Sequence, residues 1–406
     1  MLIALFTAVS ISAQSELFTA EQCEGSRMPY PVPKTIMAYP DSLTPVLINH
    51  VGRHGARYPT SEAKIKNIIA WLEKAEALGP MSESGKALLA LSRNVISVAD
   101  GRWGELDALG EFEQAGIAAR MYDAYPMLFQ ANTVQAEASY VPRCVMSMYA
   151  FCHSLTQKND QLHIIASSGP EYSPLLRPFE TIEAFRLYYD EKPYNKILKP
   201  FAAAEEPIEV ARKAVGPHIR MNNREAIKLI GDIYYLVSSC KAMGLKVNAA
   251  DYFTLQEYNK MWQVENLRQY LARTSTKEYS LPSEIAVALL SNLVATTQNY
   301  IDGTDSVHVH LRFGHAETML PLVSLLQLPG CYYITDDYNT VASHWQSFNI
   351  VPMASNLQMI LFKSSSGNYY LRVDLNERPV KFIHGYDDIY VPWAQAKEYM
   401  IKCCGL

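Results

Sequence analysis

Short apolar runs recur along the chain. Three of them, at residues 46–48, 136–141 and 307–313, end on a charged loop and are followed by a 3.6-residue periodicity, the pattern of an α/β fold. Val46, Leu47 and Ile48 predict a buried strand, and the loop after it carries Arg53, His54, Gly55, Arg57 and Pro59. From Ser61 to Leu78, Ile65, Ile68, Ile69 and Leu72 fall on one side of a predicted helix, which Gly79-Pro80 stops. Further helices are predicted over residues 83–97 and 110–125, with a loop over 101–109. Residues 136–141 alternate like a strand, Arg143 follows at once, and residues 144–155 read as a helix, so the opening grammar is repeated. Residues 162–166 predict another buried strand.

From residue 174 to 302 strand signals fade and helices dominate, over 223–237, 255–273 and 283–300. Residues 307–313 return as a strand that ends on Gly314-His315-Ala316-Glu317, with a helix through Leu326. Strands over 359–362, 369–375 and 380–383 and a terminal helix from Pro392 complete the chain. The expected architecture is a mostly parallel sheet flanked by helices, with an inserted α-helical cap. Residues 24–173 and 303–406 form the two parts of the α/β domain, and residues 174–302 form the cap. The stretch before the first strand, residues 24–45, reads as an extended lead-in rich in Pro and Ser.

The 406 residues are 49% apolar, enough for a sizeable core, and the net charge is −5. That balance argues against a nucleic-acid-binding or anionic-membrane-binding surface, so any highly charged anion needs a local basic pocket. Residues 1–13, MLIALFTAVSISA, form an apolar run closed by small residues. They read as a secretory signal peptide cleaved near Ala13 or Gln14, which implies a secreted or periplasmic protein. The run is too short to span a membrane, and no later stretch is long and apolar enough to do so. Seven cysteines show no metal-ligand spacing and dictate no disulfide pairing.

Three predicted strand ends present charged groups: Arg53-His54-Arg57, Arg143, and His315 with Glu317. A parallel sheet brings such ends to one edge, where ligands bind. Guanidiniums are permanently charged forks for oxyanions. An imidazole titrates near neutrality and can act as a nucleophile. Nucleophile, oxyanion clamps and a carboxylic acid are together the inventory for phosphomonoester hydrolysis through a covalent intermediate. Each group also has a plainer reading. Arg143 would serve as a surface ion-pair partner, and Glu317 as a first-turn acid stabilised by the helix dipole. His50 reads as structural, and His308 and His310, on one strand face, as packed or pocket-wall residues rather than a metal pair.

Arg53-His54-Gly55-Ala56-Arg57-Tyr58-Pro59 resembles the Arg-His-Gly-x-Arg-x-Pro signature of the histidine phosphatase superfamily, acid phosphatase branch. His315-Ala316-Glu317-Thr318 resembles the second signature of the multiple inositol-polyphosphate phosphatase (phytase-like) group. The general acid phosphatases of the superfamily carry His-Asp there, and here Ala316 takes the Asp place. Gly104–Gly110 resembles the family's Gly-x-Leu-Thr-x-x-Gly stretch, with Asp107 replacing Thr. Arg143, Ser147 and Phe151 resemble its Arg-x-x-x-Ser-x-x-x-Phe run, and Leu375-Asn376-Glu377 a late Leu-Asn-Glu strand. Residues 25–30 are more loosely similar to a Gly-Thr-Lys-Thr-x-Tyr segment. The resemblance implies a phosphoglycerate mutase-like α/β fold. It implies His54 as the nucleophile, Arg53, Arg57, Arg143 and His315 as phosphate clamps, Glu317 as the proton donor, and no metal or other cofactor. The substrate it implies is a highly phosphorylated small molecule, inositol hexakisphosphate (phytate) foremost. A broad acid phosphatase, a 2,3-bisphosphoglycerate phosphatase and a phosphate-ester-binding protein without turnover are the alternatives.

Overall fold

The structure is a computed structural model that describes residues 17–130 and 133–405. The predicted signal peptide, residues 1–13, lies outside the described residues.

β1 (Leu43–Arg53) is buried on both faces from Leu47 onward and runs through the middle of an eight-stranded sheet. With β2 (Thr133–Ala138), β3 (His163–Ser168) and β4 (Val309–Gly314) it forms a parallel block in the order β3-β2-β4-β1. β5 (Asn356–Ser364), β6 (Tyr369–Leu375) and β7 (Arg378–Val380) extend the sheet antiparallel beyond β1, and β8 (Val391–Pro392) pairs with β6. Side chains alternate between two cores, as a pleated strand requires. Leu47, Val51, Leu357, Met359 and Leu361 face a core shared with the Val287–Ile301 and Ala316–Leu325 helices. Ile48, Ile360 and Phe362 face the other, shared with α3 (Ala108–Ala124) and α4 (Pro142–Lys158).

A third core is purely helical. α1 (Glu62–Leu78) and α2 (Glu83–Ala99) pack with the Ile208–Val215 and Asn223–Ser239 helices, and Trp262 of the Leu255–Arg273 helix joins them. Thus the first two helices share apolar surface with the inserted stretch. Reciprocal capping boxes, Asn222 with Glu225 and Thr254 with Glu257, start two of these helices cleanly.

Several expected elements shift. β2 stops at Ala138, not Val141: the Ser139 N–H makes the last bond to β4, at the Phe313 carbonyl, and Pro142 opens the next helix. β3 was expected to be buried, but it is the sheet margin: only β2 pairs with it, and Ile165 is 51% exposed. The lead-in is not wholly extended, since a 3₁₀ turn over Gln22–Arg27 folds beneath the sheet's ligand edge. The strand expected over 380–383 lies instead at Arg378–Val380.

His50 points from β1 between Phe151 and Phe313, and neither ring nitrogen has a hydrogen-bond partner. Burial foremost, then Arg312, pushes its pKa down to about 3. The folded state therefore holds it neutral, while the unfolded chain protonates it below about pH 6.5. Stability from this group is present above that pH and is lost as pH falls toward 3. Between pH 7 and pH 4 the wild type is expected to lose about 3 kcal/mol more stability than His50→Met, measured by denaturant melts at both pH values.

Candidate active site

Strand register sets the three charged ends side by side. Arg53 stands opposite Gly314 across β1–β4, and Ala138 opposite Phe313 across β2–β4. The His54 N–H donates to the Gly314 carbonyl at 3.0 Å, so the loop after β1 and the loop after β4 leave the sheet together. Arg143 lies in the first turn of α4, and Glu317 in the first turn of the Ala316–Leu325 helix.

The first loop is held by buried polar groups from α3 and α4. The Glu113 carboxylate accepts the Ala56 and Tyr30 N–H groups, each at 2.7 Å. The Gln114 amide donates to the Arg53 carbonyl at 2.8 Å, and Ser147 Oγ accepts the Gly55 N–H at 3.1 Å. Gly55 and Gly110 meet backbone to backbone: a Cβ on Gly55 would lie 2.4 Å from the Gly110 oxygen, and one on Gly110 would lie 2.2 Å from the Ala56 oxygen. Neither position admits a side chain.

The His54 ring is buried, and its Nδ1 lies 2.9 Å from the Gly55 carbonyl oxygen. A carbonyl only accepts, so the proton sits on Nδ1 and Nε2 keeps its lone pair. Burial, then Arg143, Arg53, Arg57 and His315, holds its pKa well below the ordinary histidine value, so the ring stays neutral. A neutral imidazole with a free Nε2 is the form a nucleophile requires.

Arg53 is anchored through Nη1 to the Ser26 carbonyl (2.6 Å) and the Val351 carbonyl (2.7 Å). Burial, then neighbouring Arg57, pulls its pKa down to about 9, and burial brings that of Arg57 to about 10. His315 packs edge-on to His54 at 5.6 Å between ring centroids. Its Nδ1 lies 3.3 Å from Arg143 Nη2, and its Nε2 meets Ser139 Oγ at 3.1 Å and the Arg177 guanidinium. Glu317 Oε1 accepts from Arg273 Nη2 at 2.6 Å. Burial would raise its carboxyl, but Arg273 above all, with His315, a backbone N–H and Arg53, overrides this and holds it well below the usual carboxylate range.

Arg53, His54, Arg57, Arg143 and Glu317 line one cavity of about 300 Å³, and His315 sits just behind its wall. Seven basic side chains line it (Arg27, Arg53, Arg57, Lys64, Arg143, Arg268 and Arg273) against two carboxylates, Glu265 and Glu317. The buried Nε atoms of Arg27, Arg53, Arg57, Arg143 and Arg273 make no hydrogen bond among the described residues. Such a cavity in an acidic protein is built for a polyanion. The expected residues come together here, but His315, expected as a phosphate clamp, does not line the cavity: its ring nitrogens meet Arg143, Arg177 and Ser139 instead.

Sequence reading missed Arg27, Lys64, Arg177, Tyr235, Arg268 and Arg273. Tyr235 accepts the Thr60 N–H at 2.7 Å and lies beneath both Lys64 and Arg27. Glu265, Arg268, Gln269 and Arg273 fall at i, i+3, i+4 and i+8, one face of a helix, and that spacing was a signal available in the sequence. His308 and His310 lie toward the opposite end of β4, where His308 Nδ1 meets the Val46 carbonyl at 2.8 Å and His310 lies 3.3 Å from Asp305. Among the described residues no group of three His, Cys, Asp or Glu side chains is placed to hold a metal ion.

The sequence profile of the histidine phosphatase superfamily (branch 2) matches residues 48–376. The chain is 26% identical over 383 residues to multiple inositol polyphosphate phosphatase 1 of Homo sapiens, covering 85% of this chain and 77% of that protein. Its fold is similar to that of the Bifidobacterium longum multiple inositol polyphosphate phosphatase in complex with phosphate. That match has a TM-score of 0.79 and 14% identity, covering 94% of this chain and 98% of that one. The phytase from D. castellii superposes with a TM-score of 0.72 at 16% identity, over 95% and 85% of the two chains.

Proposed function

The chain belongs to the histidine phosphatase superfamily, branch 2, and from that premise we propose that it hydrolyses inositol polyphosphates, phytate among them, through a phosphohistidine. It is a histidine-dependent phosphatase. The observation that carries the substrate class is the cavity: seven cations around one neutral imidazole exceed what a single phosphate engages.

In the first step His54 Nε2 attacks phosphorus, the bond to the leaving oxygen breaks, and Glu317 gives that oxygen a proton. Arg53, Arg57 and Arg143 bind the three equatorial oxygens, where negative charge must be balanced, and His315 holds Arg143 in place from behind the wall. In the second step water attacks phosphorus, the N–P bond breaks, and Glu317 takes the water proton as phosphate leaves. An inositol alkoxide is strongly basic, so the proton donor matters most for this substrate class. The Leu255–Arg273 helix of the insertion brings Glu265, Arg268, Gln269 and Arg273 over the strand ends, and we assign residues 174–302 the role of a roof that reads the rest of the substrate. Residues 1–13 support export, to the periplasm or outside the cell. No helix among the described residues is long and apolar enough to cross a membrane.

The test is phosphate release by the purified protein from inositol hexakisphosphate and from simple monoesters. Release from the hexakisphosphate is expected at the higher kcat/KM, and a preference for simple monoesters would overturn the substrate assignment. Because guanidiniums supply the positive charge, the rate is expected to be unchanged after exhaustive treatment with a metal chelator. Loss on chelation, with recovery on adding one divalent ion, would count against the arginine clamp.

A further inference from the structure

The Arg273–Glu317 ion pair stands in the wall between two cavities. On one side is the basic cavity that holds His54. On the other is a cavity of about 270 Å³ lined by Phe179, Phe185 and Tyr189, with Glu180 at its margin. Arg273 is buried, its Nη1 is tied to Gln269 Oε1 at 3.0 Å, and its Nε is unpartnered. Besides Arg273, the charged and titratable groups that face Glu317 are His315 from its own loop, Arg53 and Arg57 from the strand-end cluster and the Cys144 thiol of α4, while Arg143 lines the same cavity. Glu180 faces it across the second cavity.

So paired, Glu317 is a carboxylate, an acceptor with no proton to give. That state suits the second half-reaction, where the carboxylate takes a proton from water. It blocks the first, where an alkoxide must receive one. The cavity itself supplies the way out. One phosphate occupies the Arg53–Arg57–Arg143 cluster beside His54. A further phosphate on the same ring carries about −1.5 to −2 charges and meets the Arg273 fork, whose match to phosphate oxygens is bidentate. A dianion competes for that fork more strongly than a single carboxylate, and its own charge favours protonation of the carboxylate it displaces.

We propose that Arg273 is a substrate-sensing lock on Glu317: a phosphate other than the one being cleaved draws Arg273 away, and Glu317 then takes one proton from solvent and becomes the acid. The inference rests on the reading of Glu317 as the proton donor. The proton taken up is delivered to the leaving oxygen as the P–O bond breaks and the P–N bond to His54 forms. Water restores it to Glu317 when the P–N bond breaks, and it returns to solvent when the product leaves and Arg273 pairs again. A monophosphate of the same alcohol fits the His54 cluster yet leaves the lock closed, so selection for polyphosphates acts on the chemical step as well as on binding.

The experiment follows single-turnover phosphoryl transfer against pH at saturating inositol hexakisphosphate and inositol monophosphate, whose leaving groups are both inositol oxygens. It uses the wild type and the variants Arg273→Gln, Arg273→Lys and Glu317→Gln, each checked for native circular dichroism. In the wild type the alkaline fall in rate is expected at least one pH unit higher for the hexakisphosphate than for the monophosphate. Arg273→Gln is expected to move the monophosphate limb up by a unit or more and to raise its rate near neutrality about tenfold, the change that one unit implies. Arg273→Lys keeps the charge and is expected to leave that limb in place. A folded Arg273→Gln whose monophosphate limb does not move, or which loses rate equally on both substrates, overturns the lock while the proton donor stands. If instead Glu317→Gln costs neither substrate more than a few-fold, the donor reading fails and the lock fails with it.

Discussion

His54→Ala is expected to abolish turnover, by about 10⁴-fold or more, because removing a nucleophile leaves only the binding and electrostatic terms. The fold should survive. Among the described residues the imidazole's hydrogen bond is to the neighbouring Gly55 carbonyl. The backbone bonds that tie the loop down, from the His54 N–H to Gly314 and from the Ala354 N–H to the His54 carbonyl, do not depend on the side chain. Arg53, Arg57 and Arg143 remain, so the variant should still bind inositol hexakisphosphate without cleaving it. In the wild type, rapid quenching during turnover should trap acid-labile, base-stable phosphate on one peptide, the one containing His54. Residual activity above about a hundredth of wild type, or label on another residue, would remove His54 from the mechanism.

The strand ends were legible because the chemistry follows local grammar. An apolar run, a charged loop and a helical period are readable in any one segment, and parallel pairing then brings separate segments to one edge. Hence Arg53, His54, Arg57, His315 and Glu317 could be placed together before their register was known. The Ser147 and Phe151 positions of the Arg143 run also acquire reasons. Ser147 receives the Gly55 N–H, and Phe151 packs against His50 and Phe313 under the same loop.

What stayed hidden depends on how distant elements are oriented. Nothing near Arg27, Lys64 or Arg177 in the chain says that these side chains turn toward β1's end or toward His315. Arg177 reaches the back of His315 because Leu176 accepts a hydrogen bond from Thr318, 142 residues away. Glu113 looks like an ordinary helix acid, yet it is buried, pushed up to about 7 by that burial, and bonded to two backbone N–H groups. The margin strand β3 misled for the converse reason. Two adjacent isoleucines suggest burial, but strand order alone decides which strand is left with one neighbour.

Glu317→Gln is expected to slow transfer of a phosphoryl group from inositol hexakisphosphate by roughly a hundredfold or more, the usual scale of general-acid help. The loss should depend on the leaving group. Inositol oxygens depart as strongly basic alkoxides unless protonated, whereas a nitrophenolate departs readily as an anion. The resemblance sets Ala316 at the place of an acid, and Glu317 stands one residue later in the first turn of its helix. Its side chain lines the cavity with His54's cluster, and the proposed mechanism gives it the donor role from there. Glutamine keeps the shape and the hydrogen-bonding capacity but has no proton to give. Steady-state rates would blur the contrast, because in the proposed mechanism water attack on the phosphohistidine uses the same carboxylate as a base. The pre-steady-state burst isolates the first step. A burst slowed a hundredfold with the inositol substrate and only a few-fold with nitrophenyl phosphate assigns proton donation to Glu317. Equal slowing of both bursts would assign it to positioning the phosphate instead.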